Sequence, residues 1–223
     1  MQNDGEYAQV QLITQRVAGA QKSITKLLAT SIYDQAGGNT NRLTGLLACC
    51  NSDVTLAYGG IAAQDLVSAD GTEQWIGHYS NTATVMALHI IRDMASTCKL
   101  RDGEWGKPKL FVTTEALFNV LLDALLVQQR FTDSKETAAA GFTGFTFEGR
   151  EVFPDDFCPS GTMAAINEKH IGFAVHPEGY FMRSPWKIIP DSAEDKTMKI
   201  YFDGNLVVNN RKAHMVQQGL TTS

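Results

Sequence analysis

The stretch KPKLFVTTEALFNVLLDALLVQQRFTDSK, which begins at Lys107, leaves little freedom in how it folds. Phe111 and Val112 lead a short β-prone run, and Thr113 or Thr114 then stands where a helix needs its N-cap. Ala116, Leu117, Val120, Leu121, Ala124 and Leu125 follow at three- and four-residue spacing, the stripe of an amphipathic helix. Gln128, Gln129 and Arg130 close that helix with residues that tolerate solvent. The unit is a buried strand, a capped helix and a polar turn, with no reactive constellation in it. Such a unit belongs to a scaffold that packs or assembles, and the remaining sequence must decide which.

A second pattern is longer. Between Glu6 and Tyr33 there is no proline and one glycine, while Val10, Ile13, Val17, Ala20, Ile24 and Leu27 recur every three or four residues. This predicts a helix of about 40 Å, long for a globular domain and in need of a long partner surface. Only about three heptads are present and no second heptad helix follows. A lone helix lying across a sheet is therefore favoured over a bundle or coiled coil. The helix is expected to stop at AGGNTN, with Gly37 and Gly38 as C-cap and Asn39 to Asn41 continuing the turn.

From Leu43 to Ser80 the sequence breaks into glycine-punctuated pieces, LTGLLACC, VTLAYGGI and DGTEQWIGHY, which read as short strands or extended segments joined by loops. TATVMALHIIRDMASTC predicts a second helix, with Thr82 or Thr84 as N-cap and Val85, Leu88, Ile91 and Met94 on one face. RDGEWGKP is a linker broken by Gly103, Gly106 and Pro108, and TDSKETAAAGFTG a polar, alanine-rich loop. FTFEGREVF predicts a tight hairpin turning at Glu148 and Gly149. DDFCPSGTM is a turn cluster, and MAAINEKHIGFAVH a strand, turn and strand. Met198, Ile200 and Phe202, then Leu206 and Val208, alternate with polar residues, as in a strand pair or one bent strand hinged at DGN. The whole is an α+β pattern without internal repeats.

Composition narrows the function. At 43% hydrophobic and 19% charged residues over 223 positions, the chain has the makings of one α/β domain or two lobes around a shared core, and global disorder is excluded. A net charge of -5 argues against a protein whose main task is to grip phosphate backbones. Cys49, Cys50, Cys98 and Cys158 have neither CxxC pairing nor zinc-site spacing, and LTGLLACC looks like a small-residue core segment. Buried free thiols in a reduced, intracellular chain are expected, with pairing of Cys49 or Cys50 to other cysteines as the alternative. MQNDGEYAQVQ has no basic segment followed by an apolar core, so no signal peptide is expected, and no apolar run is long enough to cross a membrane.

Motifs of catalysis are absent: no GxSxG, no GxxxxGK, no GxGxxG after a strand and no HExxH. AYGGI and AAAGFTG carry glycine for backbone freedom in turns. His78, His89, His170, His176 and His214 are scattered, and a lone histidine is more often structural than a ligand. Asp155 and Asp156 beside Cys158 come nearest to a reactive group, but PDDFCPSG is a turn in which aspartates accept backbone hydrogen bonds. NNRKAH, with Arg211, Lys212 and His214, lacks interleaved aromatics and reads as a solvated or subunit-facing strand end. No catalytic, cofactor-binding or metal-binding residue is assigned, and no cofactor is expected.

The order of segments between Lys107 and Thr221 resembles the C-terminal two thirds of tailed-bacteriophage major capsid proteins of the Hong Kong 97 fold. That family carries a PDLIVTT-like strand, a QRFTD-like segment after the helix, a DPDCP-like turn and a closing strand with NRR-like residues. Here the counterparts are KPKLFVTT, QQRFTD, FPDDFCPSGTM and NNRKA. The resemblance implies an α+β fold with a long spine helix on a peripheral sheet and an axial α/β lobe. The peripheral domain is expected over 1–80, shared with C-terminal strands over 196–223, and the axial domain mainly over 81–195. It further implies a structural, non-enzymatic protein that assembles with itself into pentamers and hexamers of an icosahedral shell around double-stranded DNA. Scaffolding, portal or decoration proteins are the implied partners, DNA is held without sequence specificity, and no membrane is involved. The implied place is the virion, assembled in the bacterial host cytoplasm. The family's N-terminal arm and E-loop are expected to be missing ahead of the helix, and no motif for covalent cross-linking is found.

Trp75, Trp105, Phe131, Phe157 and Trp186 are the aromatic loop residues placed to make subunit contacts or, equally, to plug their own lobe. An encapsulin-like protein compartment on the same fold is the second reading. An α+β hydrolase using Asp155, Asp156 or a histidine is the third.

Overall fold

The computed structural model describes residues 6–34, 41–100, 106–129, 144–189 and 192–222. The expected C-cap at Gly37 and Gly38, the breaker Gly103, Trp105 and the 130–143 loop lie outside the described residues. Two helices come early, α1 (Glu6–Ser31) and the four-residue α2 (Leu46–Cys49). The strands and helices that follow are β1 (His78–Ser80), β2 (Thr84–Val85), α3 (Leu88–Thr97), β3 (Leu110–Thr113), α4 (Glu115–Gln129), β4 (Phe145–Phe147), β5 (Arg150–Pro154) and β6 (Met163–Ile166). Further along come β7 (Ile171–Val175), β8 (Met182–Arg183), β9 (Lys187–Ile189), β10 (Ser192–Thr197), β11 (Ile200–Tyr201), β12 (Gly204–Val208), β13 (Met215–Gln217) and β14 (Leu220–Thr221), with short 3₁₀ turns at Glu168–His170 and Arg211–Ala213.

Six strands form a mixed sheet in the order β1, β13, β6, β3, β5, β4. The β1/β13 and β3/β5 pairs are parallel and the rest antiparallel. All four residues of β6 are buried because both faces of the sheet are covered. Successive side chains point to opposite faces, so Met163 and Ala165 join Phe111 and Val152 in a core under α3 and α4. Ala164 and Ile166 join Val216, Cys49, Cys50 and Tyr58 in a second core on the other face.

Local signals hold where the interaction is local. The strand and helix at 110–129 form, and α4 buries Leu117, Phe118 and Leu121. Thr113 does not cap the helix; its hydroxyl donates across the sheet to the Thr162 carbonyl at 3.0 Å. The hairpin turns where expected, with φ of 50 at Glu148 and 75 at Gly149, both positive as a two-residue type I′ turn requires. Glu148 is held there by Arg92 at 2.5 Å and Arg150 at 2.8 Å.

Two expectations fail for tertiary reasons. The helix predicted from Thr82 starts only at Leu88, without a side-chain cap, because Thr84 and Val85 are drawn into a parallel pair with Leu220 and Thr221. LTGLLACC is not extended; it coils into α2, whose Leu46 N–H donates to the Ile32 carbonyl at the end of α1. Gly45 makes this approach possible, since a Cβ there would lie 2.5 Å from the Ser31 carbonyl oxygen and 2.6 Å from those of Ile32 and Asp34.

Three nested antiparallel pairs, β7/β12, β8/β11 and β9/β10, build one long two-stranded ribbon that leaves the sheet after β6 and returns to it at β13. Phe202 and Asp203 separate β11 from β12, with Gly204 and Asn205 of DGN already in β12, so that side of the ribbon is a single bent strand. The closing stretch thus divides: β11 and β12 belong to the ribbon, β13 pairs with β6 and β1, and β14 pairs with β2.

Glycine substitutions separate local propensity from tertiary packing. Gly19 lies inside α1, and a Cβ added there would meet nothing within 4 Å, so Gly19→Ala is expected to stabilise by about 0.5–1 kcal/mol. Gly45→Ala is expected to destabilise by roughly 1–3 kcal/mol through overlap with backbone. Urea unfolding followed by far-ultraviolet circular dichroism checks both signs.

Candidate assembly surface

Helix α1 carries its apolar stripe beside the ribbon, and the two leave a groove of about 940 Å³ between them. Ile13, Val17 and Ile24 line it from the helix and Trp186, Met198 and Ile200 from the ribbon, with Arg16 and Lys196 as its charged residues among those described. A two-stranded ribbon is too narrow to cover the stripe. Ile13 remains 46% exposed and Trp186 51%, and Leu12 and Leu27 are exposed as well. A second hollow of about 440 Å³ flanks the helix on the side of Phe157, lined by Ala18, Lys22 and Lys26. The C-terminal end of α1 is anchored: the buried Tyr33 hydroxyl donates to the Asp155 carboxylate. Burial, reinforced by that carboxylate, pushes the Tyr33 pKa well above its ordinary value.

The ribbon is also unusually apolar for solvent along its length. Phe173, Tyr180, Phe181 and Phe202 form an aromatic cluster, with Tyr180 edge-on to Phe181 at 5.2 Å. Phe173, Tyr180, Met182, Ile188, Tyr201 and Val207 are all exposed. Phe181 has a φ of 50, a left-handed conformation that a bulky residue adopts only where its surroundings enforce it. No third strand pairs with the ribbon among the described residues, so its edges offer unpaired backbone groups.

A third feature is the loop over 51–75. It contains two isolated bridges, Tyr58–Ile61 and Val67–Glu73, and is shaped by aspartate turns: Thr55 N–H donates to Asp53 and Thr72 N–H to Asp70. Leu56, Ile61, Leu66 and Val67 protrude from it, each 43–48% exposed. Its two stems are fastened by one side chain. Arg211 donates to the carbonyls of Cys49 at 2.8 Å and Asn51 at 3.0 Å on one stem, and of Trp75 at 2.8 Å on the other. The guanidinium also lies over the Tyr58 ring, 5.6 Å from its centroid.

This corrects the reading of NNRKAH as a solvated or subunit-facing strand end. Arg211 is 1% exposed and His214 0%, and among the described residues Arg211 is the bulkiest of the fully buried side chains. Arginine suits the site because its planar fork can reach several carbonyls at once and stays charged without an acidic partner. Among the other aromatic positions, Trp75 turns inward and donates its indole N–H to the Tyr58 carbonyl, while Phe157 and Trp186 face solvent. Phe131 and Trp105 lie outside the described residues.

The residues with chemical potential are used structurally. Asp155 accepts from Tyr33 with one oxygen and from the Phe157 N–H with the other, as a turn aspartate does. All four cysteines are free and buried, and burial raises the pKa of Cys98 and Cys158 to about 12. Among the described residues no group of three or more His, Cys, Asp or Glu side chains is arranged to hold a metal ion, and no helix is long and apolar enough to cross a membrane.

His214 is the exception that titrates. The Asn167 N–H donates to its Nδ1 at 3.3 Å, which puts the neutral ring's proton on Nε2, a buried atom with no hydrogen-bond partner among the described residues. A second proton would set N–H against N–H. Burial holds the His214 pKa down to about 4, against an opposing interaction with the His170 backbone and with a smaller lowering from the His170 ring.

Comparison with known proteins adds the fold. No protein-family model and no curated protein matches the chain. Solved structures do. The chain is similar to one in the cyanophage A-1(L) capsid asymmetric unit, with TM-score 0.61 and 13% identity over 92% of this chain and 69% of that one. It is similar to a chain of Mycobacterium phage Patience at TM-score 0.52 and 13% identity, over 99% of this chain and 67% of the other. A chain in the capsid of an empty GTA particle gives TM-score 0.51 and 15% identity, over 98% and 69%. The fold is of the phage-capsid type.

Two outcomes follow from the buried side chains. Arg211→Met leaves three carbonyls of the loop stems without their donor and is expected to cost about 2–4 kcal/mol, with proteolytic cutting in 53–74 appearing before global unfolding. Arg211→Lys recovers only part, since an ammonium lacks the fork. For His214 the folded pKa lies below the ordinary 6.5. Its contribution to stability is therefore full above about pH 6.5 and falls as pH drops toward 4, by about 3 kcal/mol in all. His78, whose pKa is also lowered by burial, adds in the same direction. His214→Asn keeps an acceptor without the titration, so the pH slope of urea-derived stability between 6.5 and 4 is expected to flatten.

Proposed function

We propose that this chain is the major capsid subunit of a tailed bacteriophage, one of many copies that tile an icosahedral shell around double-stranded DNA. The observation that carries the reading is the pairing of a capsid-type fold with an uncovered apolar helix and ribbon. A monomer gains nothing from exposing Ile13, Trp186 and Ile188, whereas a shell subunit must present interface around much of its rim.

In this reading the fold is of the Hong Kong 97 type. Helix α1 is the spine helix and the ribbon its peripheral partner. The axial lobe is built on the six-stranded sheet with α3 and α4. The peripheral domain spans 1–80 with strands from 196–223 and the axial domain mainly 81–195, and the sheet takes β1 and β13 from the first set and β3 to β6 from the second. The copies associate as pentamers and hexamers, with scaffolding, portal or decoration proteins as further partners. DNA is contained without sequence-specific contacts, as suits a chain of net charge -5. Assembly belongs to the host cytoplasm and the finished protein to the virion. The protein performs no catalysis, and its aspartates and histidines serve the fold.

Negative-stain electron microscopy with mass photometry on the purified chain tests this. Rings of five or six, sheets or closed particles are expected. A single small oligomer at every concentration and salt would contradict it. Particles that enclose protein and exclude DNA when produced in cells would point instead to an encapsulin-like compartment.

A further inference from the structure

Charge is segregated along this chain in a way that overall composition hides. From Tyr7 to Tyr33 the charged residues are Arg16, Lys22 and Lys26, all basic. From Leu43 to Ile91 they are Asp53, Asp65, Asp70 and Glu73, all acidic, and all four sit in the 53–74 loop. The basic set lies on α1, which walls an apolar groove whose charged residues, among those described, are Arg16 and Lys196. The acidic set surrounds Leu56, Ile61, Leu66 and Val67, which stand out from the loop.

We propose that the 53–74 loop of one copy docks in the groove between α1 and the ribbon of a second copy. The inference rests on the self-assembly reading and names the surfaces that carry it. Apolar meets apolar at the centre, Leu56, Ile61, Leu66 and Val67 against Ile13, Val17, Trp186 and Ile200. At the rim Asp65 and Glu73 face Arg16 and Lys196, which steers the encounter and rejects like-charged surfaces. No residue of the loop lines its own groove, so the contact is made between copies.

The loop is prepared for this. Its turns are closed by Asp53 and Asp70, and Gly59, Gly60 and Gly71 take positive φ of 63, 81 and 84. Arg211 locks its stems. Little ordering entropy then remains to be lost on docking. The contact joins two different patches, so the copy that gives its loop keeps a free groove and the copy that gives its groove keeps a free loop, and the chain of contacts closes into a ring or extends into a lattice.

The test reverses each rim. Arg16→Glu with Lys196→Glu forms one variant, Asp65→Lys with Glu73→Lys another, and all four substitutions in one chain a third. Circular dichroism establishes that each folds, and mass photometry reads the assembled fraction. Each two-site variant is expected to lose assembly about tenfold or more at low salt, and the four-site variant to recover it. In parallel, carbodiimide cross-linking of mixed ¹⁴N- and ¹⁵N-labelled wild-type chains is expected to join Lys196 to Asp65 or Glu73 of the other isotope. Two-site variants that assemble as the wild type does, a four-site variant that stays dissociated, or cross-links confined to other surfaces would overturn the docking while leaving self-assembly intact. A wild-type chain that never associates would overturn the self-assembly reading, and the docking with it.

Discussion

Arg211 is the interaction on which the arrangement of this molecule most depends. It stands in the short turn between the ribbon's last strand and β13, and its guanidinium gathers the carbonyls of Cys49, Asn51 and Trp75 beneath the Tyr58 ring. One buried cation thereby ties together the end of α2, both stems of the acidic loop, the approach to β1 and the point where the ribbon rejoins the sheet. Its cost is desolvation without an opposing charge, offset by three hydrogen bonds from a charged donor and by the aromatic face. Helix α1 is attached differently, at its C-terminal end through Tyr33 to Asp155, with α2 folded back on its last turn.

The contrast between the two sides of the molecule is what the proposed function rests on. The six-stranded sheet is covered on both faces, and its central strand is dry from end to end. The helix and ribbon are the reverse, an apolar surface that the chain itself does not finish. A stable body bearing an unfinished surface is the division of labour that assembly requires, and the capsid-type fold accords with it.

The sequence made legible what is decided within a few residues. Glu148 and Gly149 announce their turn, Asp155 its aspartate turn, and the stripe over 116–125 its helix, because the partners are neighbours in the chain. The long helix was equally plain from its spacing. What stayed hidden is set by distant partners. Arg211 reaches back 162 residues to Cys49, and nothing in NNRKAH distinguishes a buried guanidinium from a solvated one. Thr84 and Val85 would extend α3 if Leu220 and Thr221 did not claim them for a strand pair. The protruding Leu56, Ile61, Leu66 and Val67 look like ordinary core residues in the sequence, and only their exposure in a loop clamped at both stems makes them candidates for contact.

Hydroxyl-radical footprinting across a concentration series tests the central claim, that the surface of α1 and the ribbon is completed by other copies. Trp186 and Met198 report from the groove, and Met163, buried in the sheet, serves as internal reference. The account predicts that oxidation of Trp186 and Met198 slows several-fold as the chain passes into assemblies, while Met163 stays protected throughout. Assemblies in which Trp186 and Met198 react as fast as in the dissociated chain would contradict it.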